Sequence, residues 1–190
     1  MSAPTLILIC GYARAGKDTF ADGIVSAVDF KKCWRESFAD PLKDAANDVL
    51  KSLGVYQVGV CDFYNEKFKE QNRHMLVAIG QVARSIDRDV FVRAFCKEIQ
   101  SVKYHHGLVV VTPDCRYLNE LNFCRINLPG WNIKTVLVST AGVTAANEEE
   151  GKSLGDIFRN HAFDAEYQFA PNSADAVRKE GRDFGLSLRS

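Results

Sequence analysis

The sequence predicts a three-layer α/β/α fold, a parallel sheet of about five strands with helices on both faces. Three observations predict it. Short, continuously apolar runs rich in β-branched residues recur as TLILIC (5–10), GLVVVTP (107–113) and IKTVLVST (133–140), the pattern of strands buried on both faces. Stretches with helical spacing separate them, so successive strands are joined by helical crossovers and lie parallel. A glycine-containing stretch, GYARAGK (11–17), follows directly on the first run and opens a helical pattern.

Taken in order, the first strand is 5–10. Phe20, Ala21, Ile24, Val25 and Val28 then recur at helical spacing and give an amphipathic first helix. CWRESFA (33–39) reads as a second strand. Pro41 starts a helix with Asp40 as its N-cap, Ala45, Ala46, Val49, Leu50 and Leu53 form its apolar face, and Gly54 ends it. Residues 55–72 are weakly patterned and read as a connection with a short helix. From 73 to about 104 the pattern is helical, broken near Ser85–Asp89. The strand at 107–113 is followed by a helix through Leu118, Leu121 and Ile126, a turn at Asn-Leu-Pro-Gly, and the strand at 133–140. Residues 141–165, Gly- and charge-rich with the acidic run Glu148–Glu150, read as a loop or lid. YQFAP (167–171) is a short last strand, and Ser173 caps a closing helix over 174–185. No internal repeat, low-complexity tract or linker interrupts the chain, so residues 1–190 form a single domain.

The chain of 190 residues is 46% hydrophobic and 25% charged, ordinary values for a soluble domain with a real core. The formal net charge is zero, so no global basic field points to nucleic acid or to an anionic membrane. A small anionic ligand met by a local cluster of cations fits better. Six cysteines, at 10, 33, 61, 96, 115 and 124, form no C-x-x-C pair and have no His-rich segment beside them. They read as buried reduced thiols. The apolar start is too short to span a membrane and lacks a basic leader, and the expected location is cytoplasmic.

GYARAGK matches the phosphate-binding loop G-x-x-x-x-G-K. Backbone N–H groups from Gly11 through Ala13, Arg14, Ala15, Gly16 and Lys17 would surround phosphate oxygens at a helix N-terminus, where the helix dipole also favours anions. Lys17 would reach the β- and γ-phosphates of ATP. Asp18 stands where the motif has a Ser or Thr to hold Mg²⁺, and Thr19 cannot stand in, because one residue further along a helix is rotated by roughly 100°. Either Asp18 contacts Mg²⁺, directly or through water, or it caps and pairs locally while another acid holds the metal. Asp114, in LVVVTPDCR, would lie at the carboxyl end of a strand beside the loop and could complete the magnesium shell, with Arg116 aimed at phosphate. There is no N-K-x-D for guanine recognition, which excludes a regulatory GTPase. No apolar strand ends directly in Asp-Glu, which argues against a motor or transporter ATPase.

Cations supply the rest. Arg14 lies in the loop, Lys43 on the second helix, Arg84, Arg88 and Arg93 in IGQVARSIDRDVFVRAF, and Arg159 in the lid. Gathered on a neutral protein, they suit a pocket for two phosphorylated ligands, since phosphoryl transfer needs mainly positioning and charge neutralisation. Tyr56, Phe63, Tyr64, Phe68 and Phe91 read as core or as a stacking clamp for an acceptor base.

GYARAGKDT, FADPLKDA, IGQ-x-x-R followed by DRDVFVRAF, and PDCRYLNE resemble the bacteriophage-type deoxynucleoside monophosphate kinases, on the P-loop NTPase fold. The loop and the Pro-Leu-Lys segment are also similar to animal-type phosphomevalonate kinase, which shares GKD. The resemblance runs from about residue 5 to 125. It implies an ATP- and Mg²⁺-dependent kinase acting on a small-molecule nucleotide, with an acceptor-binding region at about 40–95, a lid at about 141–165, and a homodimer. Lys17 and Arg14 would bind donor phosphates, and Lys43, Arg84 and Arg116 the acceptor phosphate, with Arg88 beside them. Asp114 and Glu120 match the acids of the D-x-R-x-x-x-E element, and Asn172 falls where such kinases contact the adenine. The chain departs from the family at Phe91, where Trp is frequent, and at Asp40, where a small residue is frequent.

Overall fold

The computed structural model describes residues 3–28, 32–101 and 107–188. Among the described residues, five strands and eight helices follow in the order β1 (Thr5–Cys10), α1 (Lys17–Ala27), β2 (Cys33–Arg35), α2 (Asp40–Ser52), α3 (Glu66–Gln71), α4 (Arg73–Ile86), α5 (Val90–Ser101), β3 (Val109–Cys115), α6 (Leu118–Asn127), β4 (Asn132–Thr140), α7 (Glu148–Asn160), β5 (Ala165–Phe169) and α8 (Ala174–Ser187). All sheet pairings are parallel, in the order β2-β3-β1-β4-β5.

The central strand shows why its sequence is apolar without alternation. Leu6, Leu8 and Cys10 face one core, with Phe95 and Ile99 of α5, Leu121 of α6 and Leu154 of α7. Ile7 and Ile9 face the other, with Phe20 and Ile24 of α1 and Val177 of α8. Every side chain of Leu6–Cys10 is fully buried, and truncating one of its Leu or Ile residues to alanine would cost about 2–5 kcal/mol. A third, smaller core under α2 and α4 holds Ala46, Leu50 and Phe63, with Phe68 and Met75 packed against it. It keeps the 40–86 region as a wall of its own beside the sheet.

The carboxyl ends of β1 and β3 lie side by side and send the chain to opposite faces, β1 into α1 and β3 into α6. Such a switch point leaves a crevice at the strand ends. It falls between the glycine loop and PDCR.

Several expectations need correction. The second strand is only Cys33–Arg35, because residues 38–39 form the turn that Asp114 ties down. Asp40 is the first residue of α2 and Ala39 its N-cap. The Asp40 carboxylate instead accepts the Ser37 N–H at 3.1 Å and pairs with Lys43 at 2.6 Å. Asp114 lies inside β3, which runs two residues beyond the apolar run. Ile126 faces solvent, 77% exposed. Residues 141–165 are not all loop: α7 occupies the middle, capped by the Asn147 side chain, which accepts the Glu150 N–H at 2.9 Å. Ser173 is the N-cap residue of α8, but its hydroxyl donates back to the Ala170 carbonyl. The break between the two helices of 73–104 is at 87–89, and 102–104 lie outside the described residues.

Candidate functional site

Both motif glycines are required by backbone geometry. Gly11 has φ 148°, and a Cβ there would lie 2.1 Å from the Val138 carbonyl oxygen, so only glycine lets the loop leave the sheet beside β4. Gly16 is the left-handed N-cap of α1, φ 92°. Between them Ala15 donates its N–H to the Tyr12 carbonyl at 3.1 Å, and Thr140, at the end of β4, donates its hydroxyl to the Ala15 carbonyl at 3.1 Å. Thr19 sits half-buried on the first turn of α1. The loop therefore presents the N-terminus of α1 at the crevice.

Lys17 is 7% exposed, and its Nζ donates to the Tyr12 carbonyl at 2.7 Å. Burial lowers its pKa, as does the nearby Arg116 guanidinium, while Asp18 and Glu150 oppose the shift. Lys17 and Arg116 are thus electrostatic neighbours from β1's loop and β3's end. Asp18 forms an ion pair with Arg35 of β2, whose other arm holds Asp22 at 2.6 Å. Its carboxylate is 78% exposed and lies on the wall of the crevice.

Asp114 is engaged by the turn before α2. One oxygen accepts the Ser37 hydroxyl (2.5 Å) and the Ala39 N–H (3.1 Å), and the other accepts the Phe38 N–H (3.2 Å). Burial raises its pKa, and these donors pull the other way. The buried Glu120 carboxylate accepts the N–H groups of Arg116 (2.9 Å) and Tyr117 (3.0 Å), which fixes how the chain leaves β3. Arg84 lies over the rings of both Phe91 (4.8 Å) and Tyr117 (5.0 Å), so its planar guanidinium is held by cation–π contacts.

Asp18, Arg84, Asp114, Arg116, Tyr117 and Glu120 line one cleft of about 530 Å³, while Lys17 is not among its lining residues. Asp18 and Asp114 are on its sheet side, with Arg116 and Glu120. Lys43, Lys69, Arg73 and Arg84 come from α2, α3 and α4 on the opposite wall. Of the expected ligands, Arg88 is exposed at the α4–α5 turn, and Arg159 pairs with Asp156 at the last turn of α7. Asn172, φ 59°, is exposed in the turn after β5. None of these three lines the cleft, and neither does Arg14, which is exposed with φ 65°. Phe63 and Phe91 are buried, and Phe68 packs against Phe63 at 5.2 Å. Tyr64 lies under Lys43, ring to Nζ 5.0 Å. The aromatics on the cleft are Phe38 and Tyr117 instead.

Lys69, Arg73 and Gln81 were not singled out from the sequence. Their spacing in KFKEQNRHMLVAIGQ matches any solvated helix face, so no local signal marks them. Glu150 was missed as well. Its signal was Asn147-x-x-Glu150, the spacing of a helix N-cap and its third residue.

Glu120 carries a pH prediction. Burial pushes its pKa up to about 7, from the 4.5 of an exposed glutamate. Between those values the folded protein keeps a proton that the unfolded chain has lost, so stability falls as pH rises from about 4.5 to 7 and is flat above. The effect is at most about 3 kcal/mol. Urea unfolding at pH 5 and pH 8 should show this loss in the wild type and a smaller one in Glu120→Gln. Equal losses would discard it.

No protein-family model matches the chain, and no curated protein matches it in sequence. Among solved structures it is similar to the APS kinase CysC of Mycobacterium tuberculosis, with a TM-score of 0.52 and 14% identity over 100% of both chains. The likeness is one of fold, a five-stranded parallel sheet covered by helices. A gluconokinase from Sinorhizobium meliloti aligns with a TM-score of 0.48 and 14% identity, over 98% of this chain and 94% of that one. The crevice at the carboxyl ends of β1 and β3, beside the glycine loop, is the candidate site. Among the described residues no helix is long and apolar enough to cross a membrane.

Proposed function

We propose that the protein is an ATP- and Mg²⁺-dependent phosphotransferase that converts a (deoxy)nucleoside 5′-monophosphate to its diphosphate. The observation that carries this reading is the two-sided cleft. Arg116, an electrostatic neighbour of Lys17, lines it from the end of β3, and Lys43, Lys69, Arg73 and Arg84 line it from α2, α3 and α4. A nucleotide-binding protein without acceptor chemistry has no need of the second set. An oxygen of the acceptor phosphate attacks the γ-phosphorus, the bond to the β–γ bridging oxygen breaks, and ADP leaves.

The loop amides and Lys17 bind the β- and γ-phosphates. Arg116 meets the charge that builds between donor and acceptor, and Arg84 and Lys43 hold the acceptor phosphate. No group of three or more metal-binding side chains occurs among the described residues. Mg²⁺ is usually held by one or two carboxylates together with phosphate oxygens and water. Asp18, with its exposed carboxylate on the cleft wall, is the residue that would take it, directly or through water. Asp114 has both oxygens engaged by residues 37–39 and would add negative potential and position α2. When bound, the metal would neutralise phosphate charge.

A coupled assay across all ribo- and deoxyribonucleoside monophosphates tests the reading, and no turnover of any of them would sink it. Arg116→Ala is expected to raise the acceptor KM by roughly 10–100-fold, the value of a charge-assisted contact, and to change ATP affinity less. Equal weakening of both would place Arg116 on the donor side. A phosphomevalonate-type acceptor is the second reading. It is favoured by the burial of Phe63 and Phe91 away from the cleft, which leaves few aromatics there to stack on a base. The same assay with that acceptor decides. A homodimer is also proposed, to be read by light scattering.

A further inference from the structure

The first turn of α7 touches both sides of the cleft. Glu150, 6% exposed, places Oε1 3.0 Å from the Ala13 N–H of the phosphate loop, while its Oε2 accepts the Ala146 N–H at 2.8 Å. Its negative charge is also felt by Lys17. One residue earlier, Glu149 accepts the Tyr117 hydroxyl at 2.6 Å, and Tyr117 in turn carries Arg84 on its ring. Two adjacent carboxylates therefore tie one helix turn to the donor loop and to the acceptor wall. The link from β4 to α7 runs through Gly142, φ 80° with open space around it.

An anion-binding loop with a carboxylate already on one of its amides is an occupied cradle. We propose that Glu150 is a latch on the phosphate loop: its carboxylate holds the Ala13 amide where anionic phosphate would lie, and donor binding must push it and the first turn of α7 aside. This rests on the kinase reading only in naming ATP as the donor. Repulsion opposes the donor, since a carboxylate held beside Lys17 by its 3.0 Å bond to Ala13 both blocks an N–H and repels the incoming polyanion. Glu149 acts as the second tie and leaves the loop itself untouched.

Glu150→Gln is near-isosteric and removes the charge. One amide oxygen can keep one of the two N–H partners, and the new NH₂ group faces the other. Calorimetric titration of the full chain with Mg-ATP is expected to show roughly tenfold tighter binding to Glu150→Gln than to wild type. Glu149→Gln loosens the same turn but leaves the Ala13 amide covered and the charge beside Lys17 in place, so it should tighten binding less than Glu150→Gln does. Thermal unfolding within a few degrees of wild type establishes that the variants are folded. Unchanged or weaker ATP binding by folded Glu150→Gln overturns the latch. If neither protein binds ATP, inorganic tripolyphosphate separates the two ideas. Tighter binding of it to the variant supports the latch while the kinase reading fails, and equal or no binding overturns the latch too.

Discussion

Replacing Lys17 with alanine is expected to lower turnover on the order of 10³-fold while the protein still folds. Lys17 is buried, and its pKa is depressed by that burial and by Arg116. The folded protein therefore carries its positive charge at a cost that is fully present below the depressed pKa and fades as pH rises from there to the ordinary lysine value of 10.5. Incoming phosphate removes that cost, which is why a strained cation is a good phosphate ligand. A second variant makes the argument stricter. Lys17→Met keeps the volume and removes the charge, so without ligand it should melt no lower than wild type, and it should lose the stabilisation that ATP gives the wild type. Wild-type turnover in either variant would remove the phosphate loop from the mechanism. A large drop in melting temperature for Lys17→Met would make the residue structural.

Gly181→Val is expected to destabilise the protein by about 3–5 kcal/mol, shifting the melting temperature by roughly 10 °C. Helices α1 and α8 approach so closely that a Cβ on Gly181 would lie 2.2 Å from the Phe20 carbonyl oxygen. A Cβ on Gly23, across the same contact, would lie 2.3 Å from the Arg178 carbonyl oxygen. Both obstacles are main chain, so no rotamer change relieves them and the helices must separate. Because α1 begins at Lys17, the same movement should reduce activity in the fraction that folds. Gly54→Ala is the control: φ is 70° but nothing lies within 4 Å, so only the left-handed conformation is penalised, by about 1–2 kcal/mol. Urea midpoints for the two variants check the order, and equal losses would mean that the α1–α8 contact is looser than its geometry.

The parts of this protein that were legible are those where a local pattern has one physical solution. TLILIC is buried on both faces and nothing but a central parallel strand accommodates it. GYARAGK has glycine at the two positions where the backbone needs it, against Val138 and at the left-handed cap. The break between α4 and α5 and the helix stop at Gly54 were equally local. What escaped was set by distant partners. Residues 148–160 looked like a loop because three glutamates and two glycines dilute the pattern, and only Leu154 and Ile157, buried against the sheet, turn it into a docked helix. Asp114 looked like a free metal ligand, yet three donors from residues 37–39 converge on it.

The sequence by itself determined the layers, the central strand and the glycine loop, because each follows from the hydrophobic period or from a backbone conformation that few residues can adopt. The tertiary structure alone decided which charges share the cleft. Lys69 and Arg73 share it with Arg116, whereas Arg88, Arg159 and Asn172 stay outside it. A charge on a helix surface has no period that reveals its partner. That partner is chosen by how α2, α3 and α4 pack beside the sheet, and by where α7 sets down Glu149 and Glu150.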